Sequence, residues 1–186
     1  MNSTSQRTLL LVEDEAILAL DQKTQLQRYG YAVNIALSGT EAIEKVRSEP
    51  GIDLILMDID LGRGMDGTEA AEQILAFRDL PLIFLSSHTE REIVERTEGI
   101  TSYGYVVKAS GITILDAAIK MAFRLFEAKR SAQEHAEKVE RANAALQATN
   151  RELSDTQDYL QRVLDTLPLG FWLVDPDGRI LDINQT

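Results

Sequence analysis

Over the first 110 positions the apolar residues gather into short runs: Leu9 to Val12, Ala32 to Ala36, Leu54 to Met57, Leu82 to Leu85 and Tyr105 to Val107. Between the runs, apolar residues recur at helical spacing near 15–29, 39–48, 67–78 and 90–98, with Gly30, Pro50-Gly51, Pro81 and Gly99 as punctuation. Strands that are almost wholly apolar need cover on both faces. Alternation with helices therefore predicts an α/β fold, a doubly wound five-stranded parallel sheet.

Beyond Gly111 the pattern changes. Neither Gly nor Pro occurs from Ile112 to Leu167, which predicts one helix of roughly 80 Å at ~1.5 Å per residue. Ala118, Leu125, Ala132, Val139, Leu146, Leu153, Leu160 and Leu167 recur every seven residues, as in a coiled coil. Such a stripe calls for a partner helix. The closing segment, LPLGFWLVDPDGRILDINQT, reads as strands Phe171 to Val174 and Arg179 to Ile183 joined by a turn at Asp175-Pro176-Asp177-Gly178. A lone hairpin buries too little to stand by itself, so the chain is expected to stop inside a domain.

The net charge is −11, with ten Lys and Arg against eighteen Asp and Glu in residues 1–110 and nine against twelve in 111–186. That balance argues against a nucleic-acid surface, which needs clustered cations. Cysteine is absent, which excludes disulfides, thiolate catalysis and Cys-based zinc sites. No apolar stretch approaches the roughly 20 residues of a membrane span, and none resembles a signal-peptide core. A cytoplasmic location is the expectation, with neither membrane nor nucleic acid as partner.

In a parallel sheet, ligands gather beyond the carboxyl ends of the strands. The residues there are Glu13 and Asp14, Asp58, Ser86 and Lys108. Any one of them could be a helix cap or a solvated turn; five at the right strand ends describe a pocket. The carboxylates are hard oxygen ligands suited to Mg²⁺. With charge so compensated, Asp58 could act as a carboxylate nucleophile toward a phosphoryl donor, Lys108 supplying a point charge and Ser86 a hydrogen bond. Gly62, Gly64 and Gly67 also spell GxGxxG, but they follow the third run rather than the first and stand among Asp58, Asp60 and Asp66. A dinucleotide loop is therefore the poorer reading, and a turn opening a helix at Thr68 the better one.

The segments LLLVEDE, DLILMDIDLG, PLIFLSS and GYVVKAS, in that order, resemble the receiver domain of bacterial response regulators over about residues 7–127. The resemblance implies a flavodoxin-like receiver fold over 1–127 and phosphorelay signal transduction. Asp58 would be the phosphoacceptor, and Glu13, Asp14, Asp58 and the backbone carbonyl of Asp60 would hold Mg²⁺. Ser86, Lys108 and Tyr105 would be the switch hydroxyl, site lysine and switch aromatic. An upstream histidine kinase or phosphotransfer protein would be the partner, and the receiver would catalyse at most its own phosphorylation and dephosphorylation. Two positions depart from the common pattern. Ala109 replaces the usual Pro, which favours a trans bond after Lys108 and could alter lysine placement. Glu13 replaces the commoner Asp. His88 reads as a polar loop residue, and Tyr105 taken alone could equally be a packed strand aromatic.

Along residues 112–167, taking the leucine stripe as position d puts Asn143 and Asn150 at a, which favours a parallel homodimer with a seam of Leu125, Val139, Asn143, Leu146, Asn150, Leu153 and Leu160. The flank three residues on holds Met121, Ala128, His135, Ala142, Thr149, Thr156 and Val163. Two seams of similar stability could exchange on phosphorylation, or the helix could be a static spacer. His135 lacks the neighbours of a kinase phosphoacceptor box and reads as a solvated coil position. Residues 168–186 resemble the opening of a PAS sensory domain; such domains commonly relay to a histidine kinase or a cyclic-di-GMP enzyme. The competing function classes are an unphosphorylated dimerisation scaffold and a small hydrolase using Asp58.

Overall fold

The structure is a computed structural model, describing residues 6–62, 64–87, 103–166 and 172–183. Its elements in chain order are β1 (Thr8–Val12), α1 (Ala16–Arg28), β2 (Ala32–Ala36), α2 (Gly39–Ser48), β3 (Leu54–Asp58), α3 (Gly67–Phe77), β4 (Leu82–Ser86), β5 (Gly104–Val107), α4 (Ile112–Thr166), β6 (Trp172–Val174) and β7 (Ile180–Ile183). The expected strands are all present. The third and fourth reach one residue further than the apolar runs, because the sheet ladder includes Asp58 and Ser86. The helix expected at 90–98, and His88 before it, lie outside the described residues.

Five strands form one parallel sheet in the order β2-β1-β3-β4-β5. Successive strand residues point to opposite faces, so each apolar run feeds two cores. Leu10, Val12, Ile55, Met57, Leu82 and Phe84 pack with Ala42, Ile43 and Val46 of α2 and Ala70, Ala71 and Ile74 of α3. Leu9, Leu11, Leu54, Leu56, Ile83 and Leu85 pack with Ala19 and Leu26 of α1 and with Leu115, Ile119 and Ala122 of α4. This two-sided cover is what runs without polar alternation require.

Local chemistry sets the helix starts. Ser38 caps α2 by accepting from the Glu41 amide, and Asp66 with Glu69 closes a reciprocal capping box on α3. Arg78, just past α3, donates to the carbonyls of Val46, Glu49, Pro50 and Ile52, tying the end of α2 and the turn after it to α3. No described helix is long and apolar enough to cross a membrane.

The chain divides into two compact units, Met1–Ser131 and Ala132–Thr186, with α4 running through both as a single helix. On the first unit α4 buries Leu115, Asp116, Ile119 and Ala122. Ala122, three residues before Leu125 of the expected seam, is thus core of this unit. In the second unit β6 and β7 pair antiparallel. Their turn is closed by Asp175, whose carboxylate accepts from the Asp177 and Arg179 amides, and Gly178 takes φ +82°.

Candidate functional site

In this strand order β1 has its neighbours on opposite sides, β2 and β3, and their connections leave in opposite directions. The crevice beyond the carboxyl ends of β1 and β3 is the natural ligand position. Glu13 follows β1, anchored by its amide on the Ala36 carbonyl at 3.0 Å, and is fully buried. Asp14 next to it is exposed. Asp58 ends β3 and is 2% exposed. Carboxylate oxygens of Glu13, Asp14 and Asp58 all lie within 4.8 Å of one another.

Lys108 closes this group. Its Nζ donates to Glu13 Oε2 at 2.6 Å and to Asp58 Oδ2 at 2.7 Å, while the Asp60 amide donates to Asp58 Oδ1 at 3.2 Å. Ser86, fully buried, ends β4 one position beyond Leu85, the register partner of Asp58. Sequence positions 13, 14, 58 and 108 therefore meet, as expected, with Ser86 on the neighbouring strand end. Tyr105 lies opposite Phe84, further back along the sheet, partly buried against the core on the α2 and α3 side. Asp60 is exposed two residues past Asp58.

Burial penalises the Asp58 carboxylate and pushes its pKa up to about 6. Hydrogen bonding and attraction from Lys108 pull the other way, and the charge of Glu13 adds to the rise. For Lys108, burial alone would lower the pKa, but the hydrogen bonds to Asp58 and Glu13 outweigh it and hold the ammonium above its usual range. Among the described residues one ammonium faces three carboxylates, a net negative charge that attracts a cation. The donor set is all oxygen, which suits Mg²⁺ rather than a softer metal. The peptide after Lys108 is trans, and Lys108 still reaches Asp58, so Ala109 does not displace the lysine.

Two glycines build this pocket in a way the sequence did not disclose. A Cβ on Gly67 would lie 1.8 Å from the Asp58 carbonyl oxygen, since the first turn of α3 packs directly on the end of β3. A Cβ on Gly62, which has φ +67°, would lie 2.7 Å from Asp14 Oδ2. Gly62 and Gly67 of the GxGxxG spacing therefore serve close approach to the Asp14 side chain and the Asp58 backbone. Also unforeseen is a buried link from the residue just before β2 to α4, in which the Tyr31 hydroxyl donates to Asp116 Oδ1 at 2.8 Å and Lys120 pairs with Asp116 Oδ2 at 2.7 Å.

Residues 9–120 match the family described as the response regulator receiver domain. The chain belongs to this family. It is 32% identical over 176 residues to the transcriptional regulatory protein PdtaR of Mycobacterium tuberculosis, covering 92% of this chain and 78% of the relative. Among solved structures, it is 45% identical to the N-terminal domain of a response regulator/sensory box/GGDEF 3-domain protein from Carboxydothermus hydrogenoformans, with a TM-score of 0.62 over 66% of this chain and 98% of that one. A CheY-like receiver domain from Methanospirillum hungatei shares 26% identity and a TM-score of 0.62 over 67% of this chain and 99% of that one. Receiver domains of two-component systems interact with histidine kinases or phosphotransfer proteins and generally bind Mg²⁺ at an acidic pocket, and a cluster of Glu13, Asp14 and Asp58 that could hold a metal ion is present here.

Proposed function

We propose that residues 1–127 are a receiver phosphorylated on Asp58, and that α4 carries the signal, as a homodimeric coiled coil over 112–167, to a PAS-type domain beginning at 168–186. The observation that carries this reading is the Asp58 carboxylate, buried at the end of β3 and held at 2.7 Å from the Lys108 ammonium. One Asp58 oxygen attacks the phosphorus of a donor such as a phosphohistidine or an acyl phosphate. A new O–P bond forms as the donor's bond to phosphorus breaks, and the leaving group takes that bond's electron pair. Lys108 exchanges its contact with the carboxylate for one with a phosphoryl oxygen, Ser86 donates to another, and Tyr105 follows by rotamer change. Bound Mg²⁺, held by Glu13, Asp14, Asp58 and the Asp60 carbonyl, supplies neutralisation of the phosphoryl charge.

The order receiver then PAS is supported by the D-x-x-G turn of the terminal hairpin and by the receiver and sensory box in the name of the Carboxydothermus protein. A downstream histidine kinase or cyclic-di-GMP enzyme in a cytoplasmic phosphorelay fits that order. Incubation with acetyl phosphate and Mg²⁺ tests the core of the proposal. A gain of one phosphoryl mass that disappears in Asp58→Asn is the expected result. No gain points to a scaffold with constitutive dimerisation, and steady release of inorganic phosphate without accumulation points to a hydrolase.

A further inference from the structure

We propose that a cavity at the amino-terminal edge of the sheet, the edge opposite the acidic pocket, binds a small anion with a flat apolar body, of the class of aromatic carboxylates, and that Arg78 is the cation that selects it.

The cavity has a volume of about 470 Å³, inside the range of roughly 300–1,000 Å³ in which small-molecule sites fall. One side is the stretch of α4 that carries Phe123, Phe126 and Arg130; the other is built by Arg7 before β1, the turn into β3 and the connection from α3 to β4. All of it belongs to the unit Met1–Ser131. β3 runs from this edge to Asp58, roughly 16 Å at the usual rise per residue, so the site is separate from the phosphoacceptor pocket. Ile52 and Leu80 are buried and, with Pro50 and the two phenyl rings, give the cavity an apolar lining.

The charges around it do not cancel. Asp53 accepts from the Thr8 amide at 2.8 Å and lies 3.7 Å from Arg7, Glu127 accepts from Arg7 at 2.8 Å, and Asp79 lies 3.9 Å from Lys129. Each carboxylate therefore has a partner. Arg7, Arg78 and Arg130 in the lining, with Lys129 next to Asp79, make four cations against three anions, an excess of one in a chain whose net charge is −11.

Arg78 holds that excess. Its Nη1 and Nη2 make four hydrogen bonds, all to backbone carbonyls, and among the described residues no carboxylate pairs with it. A guanidinium has five N–H donors, so the Nε–H remains, together with a positive charge that no anion neutralises. The same four bonds fix the group in place, so holding an anion costs it little rotamer freedom. A cationic ligand fits poorly, because Arg7 already stands 4.8 Å from the Phe123 ring centre and Lys129 5.9 Å from that of Tyr103, whose ring meets Phe126 edge-on. A bare inorganic anion would leave the apolar lining uncovered. The two requirements together describe a ring that bears a carboxylate.

Isothermal titration of the full chain with 2-naphthoate, its neutral amide 2-naphthamide, and acetate separates charge from apolar body. Naphthoate is expected to bind, with naphthamide and acetate each about tenfold weaker or more, as loss of a charged hydrogen bond or of a buried ring implies. In amide NMR spectra of the wild type, naphthoate is expected to shift Asp53, Leu80 and Glu127 and to leave Asp14 and Asp58 in place. Arg78→Gln is expected to bind both naphthyl probes equally. Arg78 also ties down the turn after α2, so where that variant fails to fold by circular dichroism the wild-type titration and spectra decide. No binding of naphthoate at millimolar concentration, equal affinities of naphthoate and naphthamide for the wild type, shifts confined to another surface, or a preference for naphthoate that survives in folded Arg78→Gln each overturns the proposal.

Discussion

Replacing Asp58 with Asn should stabilise the metal-free protein at neutral pH, and its size follows from the pocket. Asp58 is buried beside Glu13 and Asp14, with Lys108 as the cation that meets it among the described residues, and its pKa stands at about 6 against an ordinary 3.8. A raised carboxylate pKa means that the folded state binds the proton more tightly than the unfolded state. The cost to stability is fully present above pH 6 and is relieved as pH falls through 6 toward 3.8. About two units at ~1.36 kcal/mol each bound that cost at roughly 3 kcal/mol. Asn removes it but leaves Lys108 with Glu13 alone, so a net gain of ~1–2 kcal/mol is expected at pH 7.5.

Urea unfolding in EDTA at pH 5.5 and 7.5 measures this directly. Wild type should gain stability on going to pH 5.5 relative to Asp58→Asn, a comparison in which every other titrating group cancels. Mg²⁺ at ten times its dissociation constant should then stabilise wild type by ~1.4 kcal/mol at pH 7.5 and the variant by much less. A variant less stable than wild type in EDTA at pH 7.5, with parallel pH dependences, would refute the claim that the apo pocket holds an uncompensated carboxylate.

Three further substitutions probe the parts around it. Gly67→Ala forces a Cβ to 1.8 Å from the Asp58 carbonyl, so a loss of ~3 kcal/mol or more, or failure to fold, is expected in thermal unfolding. Gly62→Ala meets Asp14 Oδ2 at 2.7 Å with φ at +67°; Mg²⁺ affinity measured by titration should fall several-fold, with a stability cost of only ~1–2 kcal/mol. Tyr31→Phe strips a buried carboxylate of its neutral donor, and urea unfolding should show a loss of ~1–3 kcal/mol, with Lys120 still paired to Asp116.

The parallel sheet and the convergence of Glu13, Asp14, Asp58 and Lys108 were legible because each depends on a repeating local signal: an apolar run, its end, and the helix that follows. What sits at a strand end in such a sheet is fixed by topology, whatever the loops do. The roles of Gly62 and Gly67 were not legible in the same way. A glycine written into a GxGxxG spacing can serve a positive φ, a pyrophosphate or a close backbone approach, and only the packing of α3 on β3 separates these. Arg78 and the Tyr31–Asp116 link escaped for a related reason, since their partners are backbone carbonyls and residues up to 85 positions away, which no local pattern marks.

The heptad stripe of α4 shows the limit most clearly. Periodicity locates Leu125, Val139, Leu146, Leu153 and Leu160 on one line, but it is symmetric between the residues three before and three after each of them. In an isolated coil the two asparagines would weigh in favour of the a flank. The receiver breaks that symmetry: a helix that must lay Leu115, Ile119 and Ala122 on its own sheet has already spent one side of the line. That choice holds for the turns packed on the sheet, where Tyr31 also holds Asp116 of the same helix, and periodicity alone gives no sign of it.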